Sequence, residues 1–163
     1  MAQQGQGFDM SKMTSADKIV GGAAAVFIIW TFLPFWYSYD GPGAEFAEAF
    51  GGDTSISGFR GVTLLAWLLA VVALIEIGIK AMGTNMSMPI KRGLLHLALG
   101  GVGVLLTLLG LIAAPDLFGA SWGAFVGVVI ALVWAYGAYM MYQQPDGMPA
   151  PGGGGGGDSG LSG

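Results

Sequence analysis

Four long apolar stretches alternate with polar or turn-forming segments along the chain. Each stretch has about the twenty residues that an α-helix needs to cross a hydrocarbon core of ~30 Å at ~1.5 Å per residue. The pattern predicts an all-α integral membrane protein, a four-transmembrane-helix bundle that forms one domain over residues 18–142. The spans are expected at about residues 19–37, 61–80, 92–114 and 121–142.

Helix-start signals support these boundaries. Thr14 and Ser15 precede Asp17, a pattern in which a hydroxyl accepts backbone N–H groups and the acid lies at the positive end of the helix dipole. We therefore expect the first helix to start near Ser15. Residues 116–120 are few enough to require an antiparallel connection into the fourth span.

The segments outside the spans differ in character. Residues 1–17 are polar and predict a flexible cytoplasmic leader, and residues 143–163 are rich in Gly and Pro and predict a disordered tail. The acidic loop 38–60 contains Phe46 and Phe50 four residues apart, which predicts a helical turn or two lying on the bilayer and shielding the outer end of the bundle.

The basic residues predict the orientation. Arg60 alone lies on the side of the first loop, whereas the other five flank the opposite ends of the spans, namely Lys12, Lys18, Lys80, Lys91 and Arg92. Because cytoplasmic loops carry the excess of Lys and Arg, both the N- and C-termini are expected to be cytoplasmic. A cleaved signal peptide is the alternative, with Ala47-Glu48-Ala49 as its cleavage site. That site lies too far beyond the apolar run, so an uncleaved anchor is favoured.

Composition narrows the function classes. Of the 163 residues, 54% are hydrophobic and 10% charged, too little charge for a water-soluble surface, so the lipid bilayer is the first partner. The absence of Cys excludes disulfides, Cys-ligated zinc and iron–sulfur clusters. No basic run suits nucleic acid, and no nucleophile elbow or phosphate loop is present, so no enzyme class and no cofactor are expected.

Glu76 and His96 are the polar residues most informative about a site. A carboxylate within an apolar span is by default a functional-site hypothesis, but Lys80 follows Glu76 by four residues and favours an ion pair or snorkelling near the boundary. His96 lies one turn into the next span, at nearly the depth of Glu76. The two are expected to meet, either as a structural interhelical hydrogen bond or as a proton site.

Small residues recur at four-residue spacing in the fourth span, at Gly119, Gly123, Gly127, Ala131 and Ala135. Such a glycine-zipper ladder lets another helix backbone approach closely. Contact with the first or third span is the favoured interpretation, and a homo-oligomeric or partner-protein interface is the alternative.

No metal site is expected. Met82, Met86 and Met88 offer thioethers, which are soft ligands for Cu(I), but without Cys or His nearby they are better read as packing residues. The acidic first loop lacks the ligand spacing of a calcium loop.

Two stretches carry a resemblance to a known group of proteins. Residues 17–22, of sequence DKIVGG, and residues 32–37, of sequence FLPFWY, resemble the start and exit of the first span in small four-helix integral membrane proteins of actinobacterial type. The resemblance implies a multi-pass protein of the bacterial plasma membrane and supplies no catalytic motif.

The sequence therefore favours a non-enzymatic membrane protein, a structural, assembly or accessory subunit that packs against itself or a larger membrane complex. One alternative is a small transporter or channel subunit that handles protons or cations through Glu76 and His96. Another is an anchor whose tail beyond Gln144 recruits cytoplasmic partners.

Overall fold

The computed structural model describes residues 9–83, 90–114 and 118–144. These residues form one 3-10 turn, Met10–Lys12, together with longer helices and short strands. The helices are α1 (Ser15–Phe32), α2 (Ala44–Ala49), α3 (Gly61–Ala81), α4 (Arg92–Ile112) and α5 (Trp122–Gln143), and the strands are β1 (Tyr37–Ser38), β2 (Ser55–Ile56) and β3 (Gly119–Ala120).

Helices α1, α3, α4 and α5 are each long and apolar enough to cross a membrane, which confirms the four helices predicted from the sequence. Both α1 and α4 pack against α3 and α5, so the four form a ring in which neighbours are antiparallel. One end of the ring, here the sheet end, holds the three strands. The other, here the charged end, holds the starts of α1 and α4 and the ends of α3 and α5.

A capping box starts α1 at the position that the sequence indicates. The Asp17 N–H donates to Thr14 Oγ1 at 3.2 Å, and the Thr14 N–H donates to Asp17 Oδ2 at 2.7 Å. The helix ends at Phe32, five residues before the predicted end of the span, because Pro34 disfavours helical geometry at the residue before it and cannot donate an N–H.

Part of the segment predicted as a flexible leader lies within the described residues. From Asp9 onward the chain lies against the end of α3, where the Asp9 N–H donates to the Ala81 carbonyl at 3.1 Å and Met13 is buried. Residues 1–8 lie outside the described part of the chain, as do residues 145–163 of the predicted tail.

The loop 38–60 contains strand pairing that the sequence did not indicate. β1 is the central strand of a three-stranded antiparallel sheet, pairing Tyr37 with Ile56 of β2 on one side and with Ala120 of β3 on the other. The Tyr37 hydroxyl is buried and donates to the Gly110 carbonyl of α4 at 3.1 Å; it also lies 3.2 Å from Thr63 Oγ1 of α3. The sheet thus fastens the far ends of the long helices together.

The helical turn predicted around Phe46 and Phe50 is present as α2 and its C-cap. The two rings contact each other with centroids 4.4 Å apart, and both are strongly exposed. α2 buries none of its residues, and the expectation that it lies on the bilayer and shields the end of the bundle stays a prediction.

Small side chains bring the helices together in the core. Ala66, Ala70 and Ala73 are fully buried along one face of α3. Two large rings, Phe27 and Trp36, are buried in the same core and meet edge to face with centroids 6.1 Å apart.

Candidate functional site

Three helices bring five ionisable side chains together at the charged end. Their antiparallel packing places the first turn of α1, the last two turns of α3 and the first two turns of α4 at one level. We call these side chains the charge network, and its members are Asp17, Glu76, Lys80, Arg92 and His96.

Glu76 of α3 is held by two residues of α4. The Arg92 guanidinium donates to both carboxylate oxygens, from Nε to Oε1 and from Nη2 to Oε2 at 2.8 Å, which is the forked geometry in which Arg binds a carboxylate most strongly. His96 Nε2 lies 2.7 Å from Glu76 Oε2. The structure therefore brings together the Glu76 and His96 that the sequence analysis expects to meet, and adds Arg92 to them.

Asp17 of α1 forms the second half of the network. Lys80 Nζ lies 2.5 Å from its Oδ2 and Arg92 Nη1 lies 2.6 Å from its Oδ1. Thr14 donates to Oδ2 from its backbone N–H and also from its hydroxyl, at 2.9 Å. The carboxylate is fully buried and accepts hydrogen bonds at both oxygens, so its charge is compensated without water.

The partner of Lys80 differs from the sequence expectation. Its spacing from Glu76 favours a pair along one helix, but its ammonium group reaches across to Asp17 of α1. Asp17 was assigned only a capping role in the sequence, and Arg92 only a role in orientation. Their equal depth at the same end of the bundle was the signal that could have connected them.

The network balances its own charge. Two carboxylates face one ammonium and one guanidinium, so the group is formally neutral when His96 is neutral. Desolvation makes a buried pair a weak source of net stability, yet removing one partner leaves an unpaired buried charge and costs about 3–5 kcal/mol. The network therefore joins α1, α3 and α4 through paired charges.

Within the charge network, His96 is the residue whose hydrogen bonding is incomplete. Its side chain is fully buried, and Nδ1 has no hydrogen-bond partner among the described residues. When the ring is neutral with its proton on Nε2, it donates to Glu76 and leaves Nδ1 as an acceptor.

The network does not line the groove beside it. A groove of about 460 Å³ lies between the start of α4 and the end of α5, where Lys91, Gly93 and Tyr142 contribute to its wall. None of the five network residues lines this groove. Their polar atoms face each other.

The small-residue ladder makes contacts inside the chain. A Cβ on Gly123 would meet the Phe35 carbonyl, and one on Gly127 would meet the Trp36 ring, so both glycines accommodate the turn that follows α1. Ala131 is fully buried, and Ala135 lies against Gly100 of α4, whose Cβ position is 3.0 Å from the Ala135 Cα. Gly119 belongs to β3 and is exposed.

No group of three or more His, Cys, Asp or Glu side chains suited to a metal ion occurs in the described ranges. Met86 and Met88 of the methionine cluster lie outside those ranges. In the first loop, Glu48 accepts a hydrogen bond from Thr54 Oγ1 at 2.9 Å and Asp40 accepts one from Ser38 at 3.3 Å, so both carboxylates have local partners.

No protein-family model, curated protein or solved structure significantly matches this chain.

Proposed function

We propose that this chain is a non-enzymatic, four-span integral membrane protein that serves as a structural, assembly or accessory subunit. It packs against itself or against a larger membrane complex in the plasma membrane. Both termini lie on the cytoplasmic side, at the charged end of the bundle.

The apolar exterior supports insertion into a bilayer. Ile29, Leu65, Leu105 and Val129 come from four different helices, and each is at least half exposed. Exposed apolar surface on every helix of a ring is unfavourable in water and favourable in lipid.

The distribution of cations supports the orientation. Lys12 precedes α1, Lys80 ends α3 and Lys91 precedes α4, all at the charged end, while Arg60 lies at the sheet end. The excess of positive charge is expected on the cytoplasmic side.

The observation that carries the structural role is that both carboxylates of the charge network accept hydrogen bonds at both oxygens. Arg92 and His96 occupy the oxygens of Glu76, while Thr14, Lys80 and Arg92 occupy those of Asp17. These contacts join three helices. Each carboxylate oxygen already accepts a hydrogen bond from the protein, so none is open toward a substrate. The apolar outer surfaces of the four long helices are then the part of the bundle that other membrane proteins can contact.

Crosslinking in native membranes tests this role. The full chain, tagged at its C-terminus, is crosslinked in its own membranes, extracted in mild detergent and analysed for attached proteins. We expect a reproducible species containing a second copy or another membrane protein. Recovery of the crosslinked chain as a lone monomer would overturn the proposal.

A second candidate function rests on His96. A fully buried imidazole with an unpartnered nitrogen, hydrogen-bonded to Glu76, is suited to proton or cation handling in a small transporter or channel subunit. Proton flux in proteoliposomes tests it, with Glu76→Gln and His96→Gln compared with the wild-type chain and with Arg60→Gln. Equal flux in all four proteins would exclude this function.

A further inference from the structure

A shallow apolar groove follows the contact between α1 and α5, starting from the charged end. Its volume is about 360 Å³. Gly22, Ala23 and Val26 form one wall, and Val129, Ile130 and Val133 form the other. Every one of these side chains is apolar or absent, so the groove offers no hydrogen bond to an occupant.

Gly22 creates the depth of the groove. A Cβ placed on it meets no atom within 4 Å, whereas a Cβ on Gly137, farther along α5, would lie 2.7 Å from Ile19 Cγ2. The two helices are therefore in tight contact at Gly137, whereas Gly22 faces open space beside the groove. Because Gly22 has no side chain, the groove is deeper there than it would be with a larger residue.

Lys18 lies at the mouth of the groove and is exposed. In contrast to Lys80 and Arg92, it forms no ion pair within the described ranges. Tyr136, three residues beyond Val133 on α5, is also exposed, and this spacing places it on the same helix face as Val133. The Lys18 ammonium and the Tyr136 phenol thus lie at the charged end of the groove.

The length of the groove favours a lipid chain over a protein helix. From Lys18 to Val26 is eight residues, or ~12 Å along α1, close to half of a ~30 Å hydrocarbon core. A groove that starts at the headgroup level and stops near mid-bilayer matches one leaflet. A helix from a second copy would continue across the other leaflet, beyond the end of the groove.

We propose that this groove binds one acyl chain of an anionic phospholipid of the cytoplasmic leaflet, with the lipid phosphate on Lys18. This inference rests on the proposed membrane insertion and orientation. One lipid would then occupy both features. The Lys18 ammonium pairs with its phosphate, and the valines of the groove contact its acyl chain.

The test uses the full chain in detergent, delipidated and titrated with phosphatidylglycerol or phosphatidylcholine of identical acyl chains, with bound lipid read by native mass spectrometry. We expect the wild-type protein to prefer phosphatidylglycerol. Lys18→Gln should weaken phosphatidylglycerol binding roughly fivefold and leave phosphatidylcholine unchanged, since one Lys near an anionic surface contributes ~1 kcal/mol. Lys12→Gln, which removes a cation outside the groove, is the charge control.

Substitutions that fill the groove test the binding of the acyl chain separately from that of the headgroup. Gly22→Leu should weaken the binding of both lipids, and Val133→Phe, on the facing wall, should do the same. The matched control is Gly101→Leu on α4, where a Cβ also meets nothing within 4 Å. Circular dichroism and size exclusion establish that each variant is folded.

The outcomes separate this inference from the proposed function. Unchanged lipid binding by folded Gly22→Leu and Val133→Phe, or unchanged headgroup preference in Lys18→Gln, would refute the lipid site. If Gly22→Leu instead dissociates a dimer, the groove belongs to a second copy and the lipid site is wrong. Release of the wild-type protein from membranes by alkaline carbonate would contradict insertion itself.

Discussion

Arg92 Nη1 of α4 lies 2.6 Å from Asp17 Oδ1 of α1, although the two residues are 75 positions apart in the chain. The Nε and Nη2 atoms of the same guanidinium donate to the Glu76 carboxylate of α3. One planar cation therefore joins three helices at the charged end. The predictions that follow begin with this contact.

Arg92→Ala should be the most destabilising single change at the charged end. Among the described residues, it leaves Lys80 as the only cation paired with Asp17 and His96 as the only side-chain partner of Glu76, and we expect a loss of about 3–5 kcal/mol in the free energy of unfolding. Arg92→Lys should recover only part of this, because an ammonium cannot form the fork. Unfolding in mixed detergent micelles measures both. Arg60→Ala, at the exposed start of α3, is the control and should change little; equal losses in the two Ala variants would contradict the bracing role.

Glu76 and His96 should be energetically coupled. A double-mutant cycle with Glu76→Gln, His96→Gln and the double variant isolates their interaction, and contacting residues of this kind show coupling of about 0.5–3 kcal/mol. We expect a value within that range in the same unfolding assay. Additive effects of the two substitutions would mean that the 2.7 Å contact contributes nothing to stability.

Gly127→Ala should destabilise the bundle, because the added Cβ would overlap the Trp36 ring. Overpacking of this kind costs about 1–3 kcal/mol. Gly101→Ala is the matched control, since its Cβ meets no atom within 4 Å and should be neutral or slightly stabilising. Thermal unfolding followed by tryptophan fluorescence compares them. Equal melting temperatures would argue against the close approach of Trp36 to α5.

Tyr37→Phe should weaken the sheet end. The hydroxyl connects Thr63 of α3 with the Gly110 carbonyl of α4, and its removal leaves a buried carbonyl with one partner fewer. We expect a loss of about 1–3 kcal/mol. Tyr136→Phe, whose hydroxyl is on an exposed residue, should be neutral. A neutral Tyr37→Phe would show that the hydroxyl does not tie these helices.

Cysteine labelling can establish the orientation, because the natural chain contains no Cys. Ala49→Cys, on α2 at the sheet end, should react with a membrane-impermeant maleimide in intact cells. Ser159→Cys, in the C-terminal segment, should react only after permeabilisation. The reverse pattern would invert the orientation proposed from the positive charges.

Much of this architecture is predictable from the sequence, because its signals are local. The apolar runs give the four helices, and Thr14 with Asp17 gives the start of α1. Counting residues from the helix ends places Glu76 and His96 at nearly the same depth in the membrane. The strands carry no such signal, since two residues are too short to show an alternating pattern, and their pairing joins segments far apart in the chain.

The sequence also does not show which residues of different helices contact each other. Lys80 has a favourable neighbour at Glu76, and only the tertiary arrangement shows that Asp17 binds it instead. The ladder at Gly123 and Gly127 indicates close approach without naming what approaches. In the structure it is a turn, at Phe35 and Trp36, rather than a helix.

The central position of β1 supplies the contacts between helices at the sheet end. β1 pairs on both edges and Tyr37 donates to the Gly110 carbonyl of α4, while ion pairs join α1, α3 and α4 at the charged end. A motion that opened either end would first have to break these contacts. Proton handling by the buried His96, the second candidate function, would require such an opening toward each side of the membrane in turn.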